Sequence, residues 1–163
     1  MFLGPNAGNF TMGSTATLAT HGAYNIGIGF ASLNANTIGY SNTAVGYKTL
    51  TLNTEGYFNS AFGENTMSIN TTGSQNTAFG HNALRNNTTG NDNTAIGFRA
   101  GAYYSTGTAL NSTSTYSTYL GNNTRASANG NTNETIIGYN AVGAGSNTMS
   151  INTTGSQNTA LVS

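Results

Sequence analysis

Large apolar residues recur along this chain every 17 positions. Ile28, Val45, Phe62, Phe79 and Ile96 form one series, and Leu33, Leu50, Met67 and Leu84 form a second, which Gly101 interrupts. Small residues (Gly27, Ala44, Ala61, Ala78, Ala95) precede the first series and glycines (Gly29, Gly46, Gly63, Gly80, Gly97) follow it. A further glycine column runs through Gly39, Gly56, Gly73, Gly90 and Gly107. Residues 25–109 are therefore five copies of one 17-residue unit, led by Asn25, Asn42, Asn59, Asn76 and Asn93. Positions within a unit are numbered 1 to 17 from that asparagine. Apolar columns at the unit period, with no helical spacing inside the unit, predict short parallel strands stacked rung on rung. A unit this short cannot bury its apolar side alone, so neighbours stack to make a core. The predicted fold is all-β, a parallel β-roll or β-solenoid of mostly 17-residue rungs.

Along a strand, successive side chains point to opposite faces. The series Ile28, Val45, Phe62, Phe79 and Ile96 is expected to fill the inside of the coil with Leu33, Leu50, Met67 and Leu84. The small column Ala44, Ala61, Ala78 and Ala95 then faces outward, against something that approaches closely. Parallel sheets are rarely solvated on either face, which makes this column the expected chain–chain interface with another copy. Asn-Thr-Thr-Gly elements, as at Asn70 to Gly73, read as corners, and their asparagines are placed to bond along the axis as amide ladders do. At about 4.8 Å per rung, five regular rungs make a rod of roughly 24 Å.

Outside the array the period weakens. Residues 1–24 read as two irregular N-terminal rungs, and 110–132 as a polar insertion or loop. Residues 133–163 read as tighter C-terminal rungs, with a spacing of 14 from Ile137 to Ile151, ending in what looks like a cut array. Asn65 to Ala78 recurs letter for letter at Asn147 to Ala160.

Composition narrows the function classes. Only 5% of the 163 residues are charged and the formal net charge is zero, against about a quarter charged in ordinary globular chains. The electrostatic attraction that drives binding to nucleic acid or anionic lipid is missing. No cysteine is present, so disulfides and thiol chemistry are excluded, and no apolar run approaches the roughly 20 residues that span a bilayer. No membrane insertion by this segment is expected.

The run ETIIGYNAVGAGSNTMSI from Glu134 to Ile151 resembles the 14-residue head repeat of trimeric autotransporter adhesins. The longer unit, as in NTAFGHNALRNNTTG, is similar to arrays in related bacterial surface fibres and in phage tail fibres or spikes. The likeness covers residues 25 to 160. It implies a homotrimer of left-handed parallel β-rolls packed about a common axis, in an extracellular setting. It also implies adhesive or receptor-binding work on a host or prey surface receptor or glycan. The rungs here are mostly longer than that head repeat, and neither a coiled-coil stalk nor a membrane-anchoring barrel is visible.

Candidate chemistry is sparse. The acids Glu55, Glu64, Asp92 and Glu134 do not pair at rung spacing, whereas glycoside hydrolysis needs two carboxylates a few ångströms apart; solvated surface charge is the simpler reading. His81 shares an outward column with Tyr47, Glu64 and Phe98, and neither it nor His21 has metal-ligand company. Asp92 between Asn91 and Asn93 supplies one carboxylate, thin support for calcium. Gly27 and Gly29 lack the strand-to-helix context of a dinucleotide loop. Lys48, Arg85, Arg99 and Arg125 are scattered singly. No catalytic residue, cofactor or metal is expected. Tyr103, Tyr104, Tyr116 and Tyr119 gather beside the irregular segment, either as ligand-contact aromatics that stack on sugars or as a cap over the gap at Gly101. The expected function is a non-catalytic structural and adhesive segment of an extracellular trimeric fibre, on a bacterial surface or phage tail. The alternatives are a glycan-cleaving tail spike and a solenoid polymerising end to end.

Overall fold

The computed structural model describes residues 1–8, 22–105, 107–154 and 157–162; residues 9–21 of the expected N-terminal rungs, His21 among them, lie outside these. No helix occurs among these residues. Twelve strands do: β1 (Phe2–Leu3), β2 (Ile26–Ile28), β3 (Thr43–Val45), β4 (Ser60–Phe62), β5 (Thr77–Phe79), β6 (Thr94–Ile96), β7 (Tyr103–Tyr104), β8 (Ala109–Leu110), β9 (Thr118–Leu120), β10 (Thr135–Ile137), β11 (Thr148–Thr154) and β12 (Gln157–Val162). Ten form one sheet in the order β1-β2-β3-β4-β5-β6-β9-β10-β11-β12, parallel throughout except for the last pair. Partners sit one repeat unit apart from β2 to β6, as Ala44↔Ala61 and Ala61↔Ala78 illustrate. The chain is a parallel β-solenoid of about seven turns, led by Asn25, Asn42, Asn59, Asn76, Asn93, Ser117 and Glu134.

The step departs from the regular unit at three places in the sheet, Phe2↔Gly27, Thr94↔Thr118 and Thr135↔Met149. Thr118 pairs with Thr94, so that rung is longer than the regular unit, and the excess is taken up by the antiparallel hairpin β7–β8. Residues 110–132 are thus not a loop on the rod: β9 is a strand of the main ladder, and Thr115 bridges Thr132 in the rung beyond. The last parallel step, Thr135↔Met149, is shorter than the regular unit.

Much of the interior is amide. The position-1 asparagines form one ladder, with Asn42, Asn59, Asn76 and Asn93 each donating Nδ2 to Oδ1 of the preceding member at 3.2, 3.1, 3.1 and 3.0 Å. The position-12 asparagines form a second, with Asn53, Asn70 and Asn87 donating backward at 2.8, 2.8 and 2.9 Å. Both ladders meet at the position-15 glycine carbonyl: Gly73 O accepts from Asn59 and from Asn70, each at 2.9 Å. Buried amides are tolerated only when bonded this fully. A β-carbon on Gly73 would run into the Asn70 amide oxygen and lie 2.6 Å from the Gly90 carbonyl, so this column is glycine because the two ladders converge there.

Asn59→Ala measures the ladder. It removes the oxygen that accepts from the Asn76 main-chain N–H at 3.0 Å and from the Asn76 amide at 3.1 Å. Two buried donors left unmet should cost about 2–5 kcal/mol in urea unfolding. A loss below about 1 kcal/mol would mean that water enters the interior and replaces the ladder.

Between the ladders lies a narrow apolar strip, and it inverts the expected assignment of the strand faces. Ala44, Ala61, Ala78 and Ala95 are completely buried inside the coil, opposite the buried Leu33, Leu50, Met67 and Leu84. Val45 and Phe62 are only half-buried, Phe79 is 41% exposed and Ile96 47% exposed. Alternation along the strand holds, but so narrow a coil has room for one leucine facing one alanine, not for a phenylalanine. The alanine column is core, and a residue with no exposed surface cannot be a chain–chain contact. The large column stands outside.

Identical sequence also takes two forms. In the first copy, the N–H groups of Met67, Ile69 and Thr71 donate to Ala83, Arg85 and Thr88 of the next rung as the chain turns corners. In the second copy the same sequence runs through β11 and β12, paired antiparallel from Thr148↔Val162 to Thr154↔Gln157. Conformation here follows where the backbone donors find acceptors.

Candidate interaction surface

Positions 2, 4 and 6 of each rung lie on the outer face of the sheet. Gly29, Gly46, Gly63, Gly80 and Gly97 at position 5 adopt φ between +119° and +137°, and this backbone allows positions 4 and 6 to project together. In the Gly63 rung a β-carbon would sit 2.9 Å from the Gly80 carbonyl group, so backbone packs on backbone at this column. Position 4 makes an apolar stripe along the rod, flanked at position 6 by Phe30, Tyr47, Phe98 and Tyr139 and interrupted there by Glu64 and His81. Ile26, Phe30, Tyr47, Phe79, Ile96 and Tyr139 are all more than a third exposed. Within it, Phe62 and Phe79 stack with centroids 4.6 Å apart and planes 3° apart, and Phe30 stacks on Tyr47 at 5.3 Å. Lys48 lies 5.2 Å over Tyr47 and Arg99 4.9 Å over Phe98, which places the cations beside rings rather than in a basic track.

The four tyrosines of the irregular segment are not brought together. Tyr119 is completely buried in the alanine column, between Ala95 and Ile136, and so cannot contact a ligand. It fills the gap at Gly101, where a β-carbon would lie 2.7 Å from its ring. Burial pushes its phenol pKa up; hydrogen bonds to Ser114, Asn111 and Ser117 act the other way, and the Glu134 charge adds to the rise. Tyr104 packs against the core from the hairpin, Tyr103 is half-buried beside it, and Tyr116 stands exposed at position 17.

The acids occupy four different columns. Glu55 and Glu64 are exposed and Asp92 is half-buried. Glu134 is not surface charge: it takes the place of an asparagine at position 1, fully buried, with Oε1 accepting from Ser127 Oγ at 3.2 Å and from Gly145 N at 2.9 Å. His81 is exposed, 3.0 Å from the Asn82 amide and beside Phe98. Among the described residues no three His, Cys, Asp or Glu side chains gather to hold a metal, and no helix is long and apolar enough to cross a membrane.

A second aromatic group was legible in the repeat and missed. Tyr40 and Tyr57 share position 16 in successive units, and their rings stack at 5.1 Å with Phe58 edge-on to both. No family model matches the chain, and no curated protein and no solved structure matches it either.

Proposed function

We propose that this chain is a structural and adhesive segment of an extracellular fibre, on a bacterial surface or a phage tail. In this reading three copies pack as left-handed rolls about a common axis. The observation that carries the proposal is the outward stripe through Val45, Phe62, Phe79 and Ile96, which is apolar, continuous and repeated at rung pitch. Exposed apolar patches of this extent mark interaction sites, and parallel sheets are usually covered on both faces. A partner that covers several rungs in register must repeat at the same pitch, and another copy of this chain does. The number three and the handedness come from the likeness to adhesin head repeats. The scatter of the four acids over different columns, one of them in the interior, favours presentation of a surface over glycan cleavage.

Light scattering on the purified chain tests the proposal. A discrete mass close to three times 16.7 kDa is expected. A monomer would remove the trimer, and an open-ended ladder of masses would replace it with an end-to-end filament.

A further inference from the structure

Position 17 is held in the left-handed region throughout the array: φ is +53° at Ser41, +54° at Phe58, +60° at Gln75, +56° at Asp92, +52° at Tyr116 and +57° at Asn133. Asn and Asp suit this conformation because their short side chains bond to nearby backbone; a bulky aromatic gains nothing of the kind. Yet Phe58 and Tyr116 place rings there that are 54% and 64% exposed, and Tyr24, in the same column at φ +58°, is 79% exposed. Burial and backbone preference leave Tyr24 and Tyr116 unexplained, whereas Phe58 packs edge-on against Tyr40 and Tyr57 and joins them in one aromatic cluster that opens to solvent at its ring; exposed apolar clusters of this kind mark interaction sites. Next to Phe58, the Tyr40–Tyr57 stack ends at small residues on both sides, Ala23 before it and Ser74 after it in the column. Ser41 and Gln75 flank Phe58 in its own column, and none of the four cations stands at position 16 or 17.

We propose that this edge, centred on Tyr40, Tyr57 and Phe58, binds a neutral glycan. Rigid tyrosine and phenylalanine rings give large apolar contact at low entropy cost, which matches the C–H face of a pyranose. The Ser41 hydroxyl, the Gln75 amide and the phenol groups offer hydrogen bonds to sugar hydroxyls around that face. A rim without cations offers no attraction to a polyanion. The site names the ligand class for the adhesive half of the proposed function, and it does not depend on the trimer.

Calorimetric titration with maltohexaose, cellohexaose and chitohexaose, with dextran sulfate as the anionic control, tests it on the intact chain. Saturable binding of at least one neutral hexasaccharide is expected, weakened on the order of tenfold or more by Tyr57→Ala and by Phe58→Ser. Tyr103→Ala should bind as the parent does. Circular dichroism and mass are read on the same samples. The proposal fails if no neutral hexasaccharide binds, if only dextran sulfate binds, or if both edge variants bind unchanged. It fails also if the edge variants keep their affinity and change only the mass, which would make the edge a chain–chain contact. A monomeric parent that binds sugar removes the trimer and keeps the site, whereas a trimer that binds none does the reverse.

Discussion

Ala78→Arg is expected to abolish folding, whereas Phe79→Lys, one residue further along the same strand, is expected to leave the fold intact and dissociate the proposed trimer. Ala78 has no exposed surface and is stacked between Ala61 and Ala95, facing the leucine column. An arginine there overfills a packed interior and carries a charge into it with no carboxylate to receive it. Either term alone costs several kcal/mol, and their sum, on the order of 5 kcal/mol or more, approaches the whole stability of a typical domain. Phe79 is 41% exposed. Its replacement forfeits the stack on Phe62, about 0.5–1.5 kcal/mol, and sets a cation in the middle of the stripe. In the proposed trimer, three such cations about one axis would repel each other. Circular dichroism and light scattering together read both variants: a coil spectrum for Ala78→Arg, and a native spectrum at a third of the parent mass for Phe79→Lys. A folded Ala78→Arg variant would show that the alanine column is not sealed. A Phe79→Lys variant with the parent mass would place the interface elsewhere.

That pair of residues also marks the limit of what the sequence could tell. The repeat period through the first four units, the strand columns and the corner asparagines were legible, because each rung repeats the same chemistry in the same place; the fifth unit, read as regular to Ala109, is lengthened, and Ser114 rather than Gly107 meets the Asn93 amide. The direction in which Ala78 and Phe79 point was not legible. Alternation shows that they face opposite ways, and it takes the width of the coil to decide which way is in. Size favoured phenylalanine inside; the cross-section, already occupied by a leucine and two amide ladders, admits only alanine. The same limit hid Glu134. A carboxylate in a polar stretch reads as surface charge, and only the register Thr118↔Thr135 reveals that it continues the asparagine column. The aromatic edge failed for a different reason. Tyr40 and Tyr57 stand one unit apart, far from each other in sequence, and only the stacking of successive rungs brings their rings together.

The irregular rung can be made regular, and the cycle that does so should show strong coupling. Gly101 stands in the leucine column and Tyr119 in the alanine column, so one small-for-large exchange is balanced by one large-for-small exchange in the next rung. Tyr119→Ala removes a fully buried ring whose hydroxyl accepts from the Asn111 amide at 3.2 Å. The cavity and the unmet amide should cost about 3–5 kcal/mol. Gly101→Leu drives a side chain into a space where even a β-carbon would lie 2.7 Å from the Tyr119 ring and 2.9 Å from Leu84; overpacking of this kind costs about 1–3 kcal/mol or more. The backbone does not forbid leucine there, since Gly101 has φ +67° and Leu33, Leu50 and Leu84 already occupy this column at +52°, +50° and +45°. In the double variant the leucine fills the room that the ring vacated, and the rung regains the alanine-facing-leucine packing of its neighbours. The expected coupling is about 2–3 kcal/mol in favour of the double variant, measured by urea unfolding of all four proteins. Additive losses would mean that ring and glycine do not share one space. They would also mean that the hairpin β7–β8, rather than this exchange, sets the packing of the rung.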